Sequence, residues 1–369
     1  MKKKQAVVLD VGSSKISAYI GERSINNTFL IKGQSSVEYE GFCDGAFIDE
    51  EQFDESVRLL IENVSKFSHD PIDTVYVGIP GAFTSVIVRE SQISFPKKRK
   101  IDNSDIDTLY DSAFVLSSSS STLISRSAIY YELDDFRRIN NPIGYISETL
   151  KGKLSFIVCD NYFIEKIVKP LKEEKVITVK CIPTAFAEGM YLVDASVRDR
   201  IALVLDVGYI SSTLAVIQGG GILYQKSFPF GGGIITGSIA NKYDLDFNVA
   251  ETVKRKVNLC SSSNGKGYYN VIDAENGEYY PSEEIKSIVI NCIDDLCEQI
   301  FDALEEFKIT LPEYVSLMIT GGGISYLRGA KERVCERLGL SVDILKPTVP
   351  LMDKPVCSSY LSLLDIALR

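Results

Sequence analysis

AVVLDVG at residues 6–12 and ALVLDVG at residues 202–208 are one pattern written twice, about half a chain apart. Each reads as a strand: an apolar, partly β-branched run closed by Asp-x-Gly and a polar turn. Glycine lets the backbone of such a turn come close to a ligand, and the carboxylate can hold a metal ion or a water beside it. An isolated Asp-x-Gly after a strand is only a turn. Two matched copies predict two similar α/β lobes that face one another, with a phosphate chain and a divalent cation between their turns.

The first turn continues as Asp10-Val11-Gly12-Ser13-Ser14-Lys15. Ser13 and Ser14 bring backbone and hydroxyl donors for phosphate oxygens, and Lys15 a positive point charge. The second runs Asp206-Val207-Gly208-Tyr209-Ile210-Ser211-Ser212, with Ser211 and Ser212 in the matching place. A third glycine turn, Thr320-Gly321-Gly322-Gly323, follows a strand and is expected to open a helix, whose N-terminus favours anions. Its side-chain-free backbone suits a base or ribose, and it suits helix–strand packing equally well. Glu251 and Lys254 lie on a predicted helix whose apolar stripe is Val249, Val253 and Val257. They point off that stripe, either toward a nucleoside or as an i, i+3 surface pair.

Composition narrows the field. The chain has 369 residues, enough for two lobes of ordinary size, and is 45% hydrophobic. Its net charge of −10 argues against nonspecific nucleic-acid binding, which needs a basic face. The basic runs are short: Lys2, Lys3 and Lys4 before the first strand, and Lys97, Lys98, Arg99 and Lys100 in one predicted loop. Both read as solvated charge. Eight cysteines without a Cys-x-x-Cys pair read as reduced, mostly buried thiols. A single histidine, His69, argues against a histidine zinc site or a Ser-His-Asp triad. With no signal-peptide core and no apolar run near 18 residues, a soluble cytoplasmic protein is expected.

Along the chain the pattern predicts strands at 5–10, 15–21 and 28–32, a helix at 50–67 with Phe53, Val57, Leu60, Ile61, Val64 and Phe67 on one stripe, and a strand at 74–79. Residues 82–160 change character: a strand at 84–89, the basic loop, a helix at 103–116, the serine run 117–121 as a flexible loop, and strands near 127–133 and 153–159. This reads as a small inserted subdomain. Helices at 161–176 and 184–193 return to the first lobe. The second lobe has strands at 201–206, 212–217, 222–228 and 315–319, helices at 234–241, 246–257 and 283–307, and a last helix to Leu338 stopped by Gly339. Residues 260–282 read as a hairpin or mobile loop. The expected domains are 1–81 with 161–198, the insertion 82–160, and 199–369 with a smaller subdomain at about 231–310.

Two lobes, two Asp-x-Gly turns and a later glycine turn, in this order, resemble the actin-like ATPase superfamily. The insertion at 82–160, the segment Asn141-Pro142-Ile143-Gly144 before a strand, and the succession of Gly231–Gly233, Thr236, Ile239-Ala240, Ala250–Lys254 and Thr320–Gly323 resemble the FtsA cell-division family over essentially the whole chain. The resemblance implies an α/β, actin-like (ribonuclease H-like) two-lobe ATPase fold with a strand-helix-strand-strand subdomain in the first lobe. It implies ATP and Mg²⁺ as cofactors. Asp10, Gly12, Ser13, Ser14 and Lys15 would form the first phosphate turn, and Asp206, Gly208, Tyr209 and Ser211 the second. Gly232 and Gly233, with Glu251 and Lys254, would flank the nucleoside, over Gly321, Gly322 and Gly323. Asp10 and Asp206 would be the metal-holding and catalytic carboxylates, Asp206 acting through water.

The resemblance further implies an adaptor or filament subunit that binds the FtsZ C-terminal peptide, associates head to tail, and works at the division septum on the inner face of the membrane. Three departures qualify it. Tyr209 and Ile210 stand where many members have glycines, which crowds the γ-phosphate turn and predicts slow or absent hydrolysis. Ile182 occupies the place before Pro183 where several superfamily ATPases carry a water-orienting Glu or Gln. The chain ends at Arg369, just after SSYLSLLDIALR, whose Leu361, Leu364 and Leu368 read as core packing and not as a membrane anchor, so membrane contact is expected to be indirect. The rival readings are a PilM-like pilus or secretion scaffold that binds a short peptide, a small-molecule kinase of the same superfamily, and a non-hydrolysing paralogue.

Overall fold

The computed structural model describes residues 5–24, 28–68, 70–114, 118–261, 267–271 and 278–369. Lys2–Lys4, His69 and Ser117 lie outside the described residues. The chain opens with an antiparallel meander, β1 (Gln5–Val11), β2 (Lys15–Arg23) and β3 (Phe29–Glu38). A two-strand hairpin, β4 (Phe42–Cys43) and β5 (Ala46–Phe47), leads into α1 (Glu50–Ser65), which Asp49 caps by accepting from the Gln52 amide. β6 (Thr74–Ile79) then pairs parallel with β1.

Phe53, Val57, Leu60, Ile61 and Val64 of α1 are buried as the stripe predicts. Phe67 is not: it lies past the end of the helix, 53% exposed, so its place on the stripe is corrected.

The insertion carries β7 (Thr84–Lys100), α2 (Asn103–Ala113), β8 (Ser121–Leu133), β9 (Arg138–Ile139) and β10 (Ile146–Asp160). These strands form an antiparallel sheet in the order β7-β10-β8-β9, closed on α2 through Leu109, Tyr110, Leu150, Leu154 and Phe156. The basic run expected as a loop is instead the end of β7, where Arg99 and Lys100 pair with Ser147 and Ile146. Local carboxylates meet its charge: Lys98 bridges to Asp134 at 2.8 Å, and Arg99 to Asp105. Of the serine run, Ser121 already belongs to β8.

The first lobe resumes with α3 (Asn161–Glu173), β11 (Thr178–Pro183) parallel to β6, and α4 (Thr184–Leu192); α5 (Ala195–Arg198) then leads across. The second lobe begins with a second meander, β12 (Ala202–Val207), β13 (Ser212–Gln218) and β14 (Gly221–Phe228). It continues through α6 (Gly232–Tyr243), α7 (Phe247–Lys256), a hairpin of β15 (Tyr268–Val271) and β16 (Glu278–Pro281), and α8 (Ser282–Phe307). β17 (Ser316–Thr320), α9 (Ala330–Leu338), β18 (Ser341–Ile344) and α10 (Ser358–Leu368) complete it.

The two large sheets are the same object built twice. Their orders are β11-β6-β1-β2-β3 and β18-β17-β12-β13-β14. In each, a first strand lies between an antiparallel meander and two parallel neighbours, so it is covered on both faces and reads as a continuous apolar run. The registers match as well: Asp10 faces Ser17 and Gly78, and Asp206 faces Thr213 and Thr320.

Strand alternation then decides where the aspartates point. Val7, Leu9 and Val11 enter the core under α1 and α3, and Leu203, Leu205 and Val207 the core under α6, α7, α8 and α9. Ala6 and Val8 face α4 and α10, and Ala202 and Val204 face Ala185 of α4. Asp10 and Asp206 share the parity of these second sets, so both carboxylates leave their sheets on the faces that meet between the lobes.

Two expectations change here. The sequence reading extends the second lobe to residue 369, whereas α10 packs through Leu361, Leu363, Leu364 and Leu368 against Ala6, Val8 and Ile182 of the first sheet. The leucines are core, as expected. Nor does a helix open at Gly323: residues 321–329 run as bends and turns, and α9 starts at Ala330 after Gly329 at φ +89°. The helix-terminus argument for anion binding at that turn therefore falls. No helix among the described residues is long and apolar enough to cross a membrane.

Candidate functional site

A cleft of about 520 Å³ lies between the two lobes, and the ends of β1 and β12 meet across it. The loops after these strands are built alike. The Gly12 amide donates to the Lys15 carbonyl, and the Gly208 amide to the Ser211 carbonyl, each at 3.0 Å. A Cβ on either glycine would stand 2.8 or 2.7 Å from that same carbonyl, so the turn closes only on glycine. Asp10, Gly12, Ser13, Ser14 and Lys15 line the cleft from one side, and Asp206, Gly208, Tyr209 and Ser211 from the other. The turns touch: the Ser13 hydroxyl accepts from the amides of Ile210 at 3.0 Å and Ser211 at 3.4 Å.

Gly321 and Gly322 also line the cleft. Gly321, at φ +80°, passes so close beneath Asp206 that a Cβ would lie 2.2 Å from its Oδ1. Gly323 does not face the cleft. Its amide donates to the Val207 carbonyl at 2.8 Å, and it packs against Gly208 and Gly232. Gly232 and Gly233 likewise serve the second turn from behind, donating to the Gly208 carbonyl at 3.0 Å and the Tyr209 carbonyl at 2.7 Å. They begin α6 and are not a free glycine turn.

Glu251 and Lys254 form a polar knot under the second turn and line none of the cleft. Lys254 is 5% exposed and donates to the Gly232 carbonyl and the Thr236 hydroxyl, both at 2.9 Å, while its ammonium lies 2.6 Å from Glu251. Burial would raise the Glu251 carboxyl, but the hydrogen bonds from Lys254 and Thr236 outweigh it and hold it low. Neither the surface-pair reading nor the nucleoside reading describes Lys254: it sits on the buried face of α7 with Ala250 and Val253. The residue of α7 that reaches the cleft is Arg255.

The structure adds groups that the motifs did not single out. Ser359, at the start of α10, donates to Asp10 Oδ1 at 2.6 Å. Tyr19 and Tyr360 stack with centroids 4.0 Å apart along the cleft wall. Thr184, Ala185 and Glu188 share one face of α4 and line the cleft. Ile182, the sequence position considered for a water-orienting carboxylate, is buried in the core, and the cleft's further carboxylate, beside Asp10 and Asp206, is Glu188. A lone acid in the apolar helix TAFAEGMYL was the available signal.

Glu188 is 1% exposed, and its Oε1 has no hydrogen-bond partner. Desolvation, then the charges of Asp206 and Asp10, push its carboxyl well above the usual range. Desolvation and the Asp10 charge push Asp206 up to about 7, and desolvation raises Asp10 against the pull of Ser359 and Lys15.

This donor set, carboxylate and hydroxyl oxygens around an orphaned buried oxygen, fits a hard divalent cation. Among the described residues no three Asp, Glu, Cys or His side chains are arranged to hold a metal ion by themselves. Mg²⁺ keeps waters and shares one or two carboxylates with substrate phosphates, and Asp10 and Asp206 line the cleft as such a pair.

Comparison with known proteins agrees with this architecture. The family model described as type IV pilus assembly protein PilM matches residues 176–266. Cell division protein FtsA of Staphylococcus epidermidis is 22% identical over 368 residues, 98% of this chain and 78% of that protein. Among solved structures, the PilM–PilN type IV pilus biogenesis complex superposes with a TM-score of 0.66 at 17% identity, covering 100% of this chain and 99% of that one. MreB5 of Spiroplasma citri bound to ADP superposes with a TM-score of 0.55 at 13% identity, covering 97% and 94%. The chain thus has the actin-like ATPase fold and is FtsA-like in sequence over nearly its whole length.

Proposed function

We propose that this chain is a nucleotide-dependent adaptor of the bacterial division machinery, with ATP and Mg²⁺ bound between the lobes. The observation that carries the reading is the cleft itself: one strand–Asp-x-Gly–turn unit, used twice, brings two matching turns and two aspartates to one space. Gly12–Lys15 would hold phosphate oxygens from the first lobe and Gly208–Ser211 from the second. Gly321 and Gly322 would lie against the nucleoside, and Arg255 at its edge. Asp10 and Asp206 would hold the water shell of Mg²⁺, which supplies positive charge against the phosphate chain. Gly232, Gly233, Gly323, Glu251 and Lys254 would brace the second turn.

The Ser13 contact to Ile210 and Ser211 suggests how occupancy changes shape. A terminal phosphate that takes those two amides must displace the Ser13 hydroxyl, so ligand and lobe-to-lobe contact compete for the same donors. Tyr209 and Ile210 stand where many family members have glycines, and on that departure turnover is proposed to be slow or absent. By similarity to FtsA, the partner is the FtsZ C-terminal peptide, self-association is head to tail, and the protein works in the cytoplasm at the septum.

Thermal melting with and without Mg-ATP, beside Asp206→Ala, tests the nucleotide reading. Ligand at 100 times its Kd stabilises by about 2.7 kcal/mol, and the gain should vanish in the variant. No rise at millimolar Mg-ATP would refute it. The PilM model match and the TM-score of 0.66 favour a second reading, a pilus-type scaffold that binds a short peptide. A pull-down with the FtsZ C-terminal peptide separates the two.

A further inference from the structure

We propose that Glu188 is the third carboxylate of the cation site: it holds the water shell of a divalent ion beside Asp10 and Asp206 and makes nucleotide affinity depend on that ion. The inference rests on the nucleotide reading above.

Glu188 is the one charged residue in α4, a helix that otherwise packs through Ala185 into the second lobe's core and through Ala187 into the first's. A glutamate in such a helix normally costs stability unless it is paired, because an ionised carboxylate in a low dielectric needs a partner. Two other acids with little exposure follow that rule. Glu251 has Lys254, Thr236 and Arg255, and Asp365 has Arg23 and Arg369. Glu188 stands apart: it is 1% exposed, with Oε1 unpartnered, and it lines the cleft from between the lobes. The charges that act on it are those of Asp206 and Asp10, both negative.

Three like-charged oxygen donors around one space have a single simple complement, a small cation with water ligands, and such a cation relieves all three at once. The two aspartates leave the β1 and β12 ends, one from each lobe, while Glu188 comes from the helix packed between the lobes. A hydrated cation beside Asp10 and Asp206 would reach Glu188 through its water shell and so touch groups from both lobes. Groups that orient a metal's ligands without necessarily touching it typically contribute 10–100-fold to affinity.

Calorimetric titration of ADP into the full chain, in Mg²⁺ and in EDTA, tests this on the parent, Glu188→Gln and Glu188→Asp. In the parent, Mg²⁺ should strengthen ADP binding. In Glu188→Gln, which keeps shape and removes charge, that gain should shrink by about tenfold or more while ADP affinity in EDTA stays the same or rises. Glu188→Asp should recover part of the gain. Mn²⁺ titrated in the presence of ADP and followed by electron paramagnetic resonance should bind more weakly to Glu188→Gln than to the parent, a readout independent of turnover. An undiminished Mg²⁺ gain and equal Mn²⁺ affinity in Glu188→Gln would overturn the role of Glu188 and leave the nucleotide site standing. A parent that binds ADP equally in Mg²⁺ and EDTA would also overturn it. A parent that binds ADP in neither would overturn the nucleotide reading together with it.

Discussion

Replacing Asp206 by asparagine should make the nucleotide-free protein more stable, with a smaller gain once nucleotide is bound. Desolvation in the cleft, then the charge of Asp10, raises the Asp206 carboxyl from its ordinary 3.8 to about 7. The folded chain therefore holds this proton more tightly than the unfolded chain does. The stability linked to it is fully present below pH 3.8 and is lost as pH rises toward 7. At ~1.4 kcal/mol per pH unit, the ionised form costs up to about 4 kcal/mol at pH 8, and about 2 kcal/mol once screening by water in the cleft is allowed for.

An asparagine at this position cannot ionise, so the advantage of Asp206→Asn should be near zero at pH 4 and grow to about 2–4 kcal/mol at pH 8. Urea unfolding midpoints in EDTA, measured across that range, read it directly. With Mg-ATP at 100 times the parent's Kd that advantage should shrink by most of the ligand's roughly 2.7 kcal/mol, because the variant forgoes the binding. A variant no more stable than its parent at pH 8, or with an advantage that does not change with pH, would refute the electrostatic account of the cleft.

Ser13→Ala removes the acceptor shared by the Ile210 and Ser211 amides; hydrogen exchange at those two amides should speed up, with a stability loss of about 1 kcal/mol. Lys254→Met strips the Gly232 carbonyl, Thr236 and Glu251 of their buried cation and should lower unfolding stability by roughly 3 kcal/mol, as breaking a buried pair does. Gly321→Ala puts a Cβ 2.2 Å from Asp206 Oδ1 at a backbone φ of +80°, so nucleotide-dependent melting shifts should disappear even where the protein still folds.

Much of the architecture was legible in the chain. The two LDVG strands, their meanders, the inserted subdomain and the long helix at 283–307 are all local patterns, and local patterns follow from alternation and helical period. The errors have physical causes. Lys97–Lys100 read as a loop because four cations in a row suit solvent, yet strand pairing with Ser147 and Ile146 and the carboxylates of Asp105 and Asp134 extend β7 through them. Gly321–Gly323 read as a helix start because glycine before a helix is common, whereas here they are needed for close passage beneath Asp206 and Gly208. Glu251 and Lys254 read as cleft residues because their motif resembles one, but Lys254 is taken up by the carbonyl of Gly232.

The sequence by itself determined the duplication: two Asp-x-Gly turns on equivalent strands, and hence which backbone amides and carboxylates lie at the strand ends. It also determined, through parity along β1 and β12, that Asp10 and Asp206 share a face with small apolar residues. What covers that face was decided only in three dimensions. α10 returns from the end of the chain to the first sheet and brings Ser359 to Asp10, and α4 brings Glu188 between the lobes. Those contacts join segments up to 349 positions apart, and no local period encodes a meeting at that distance.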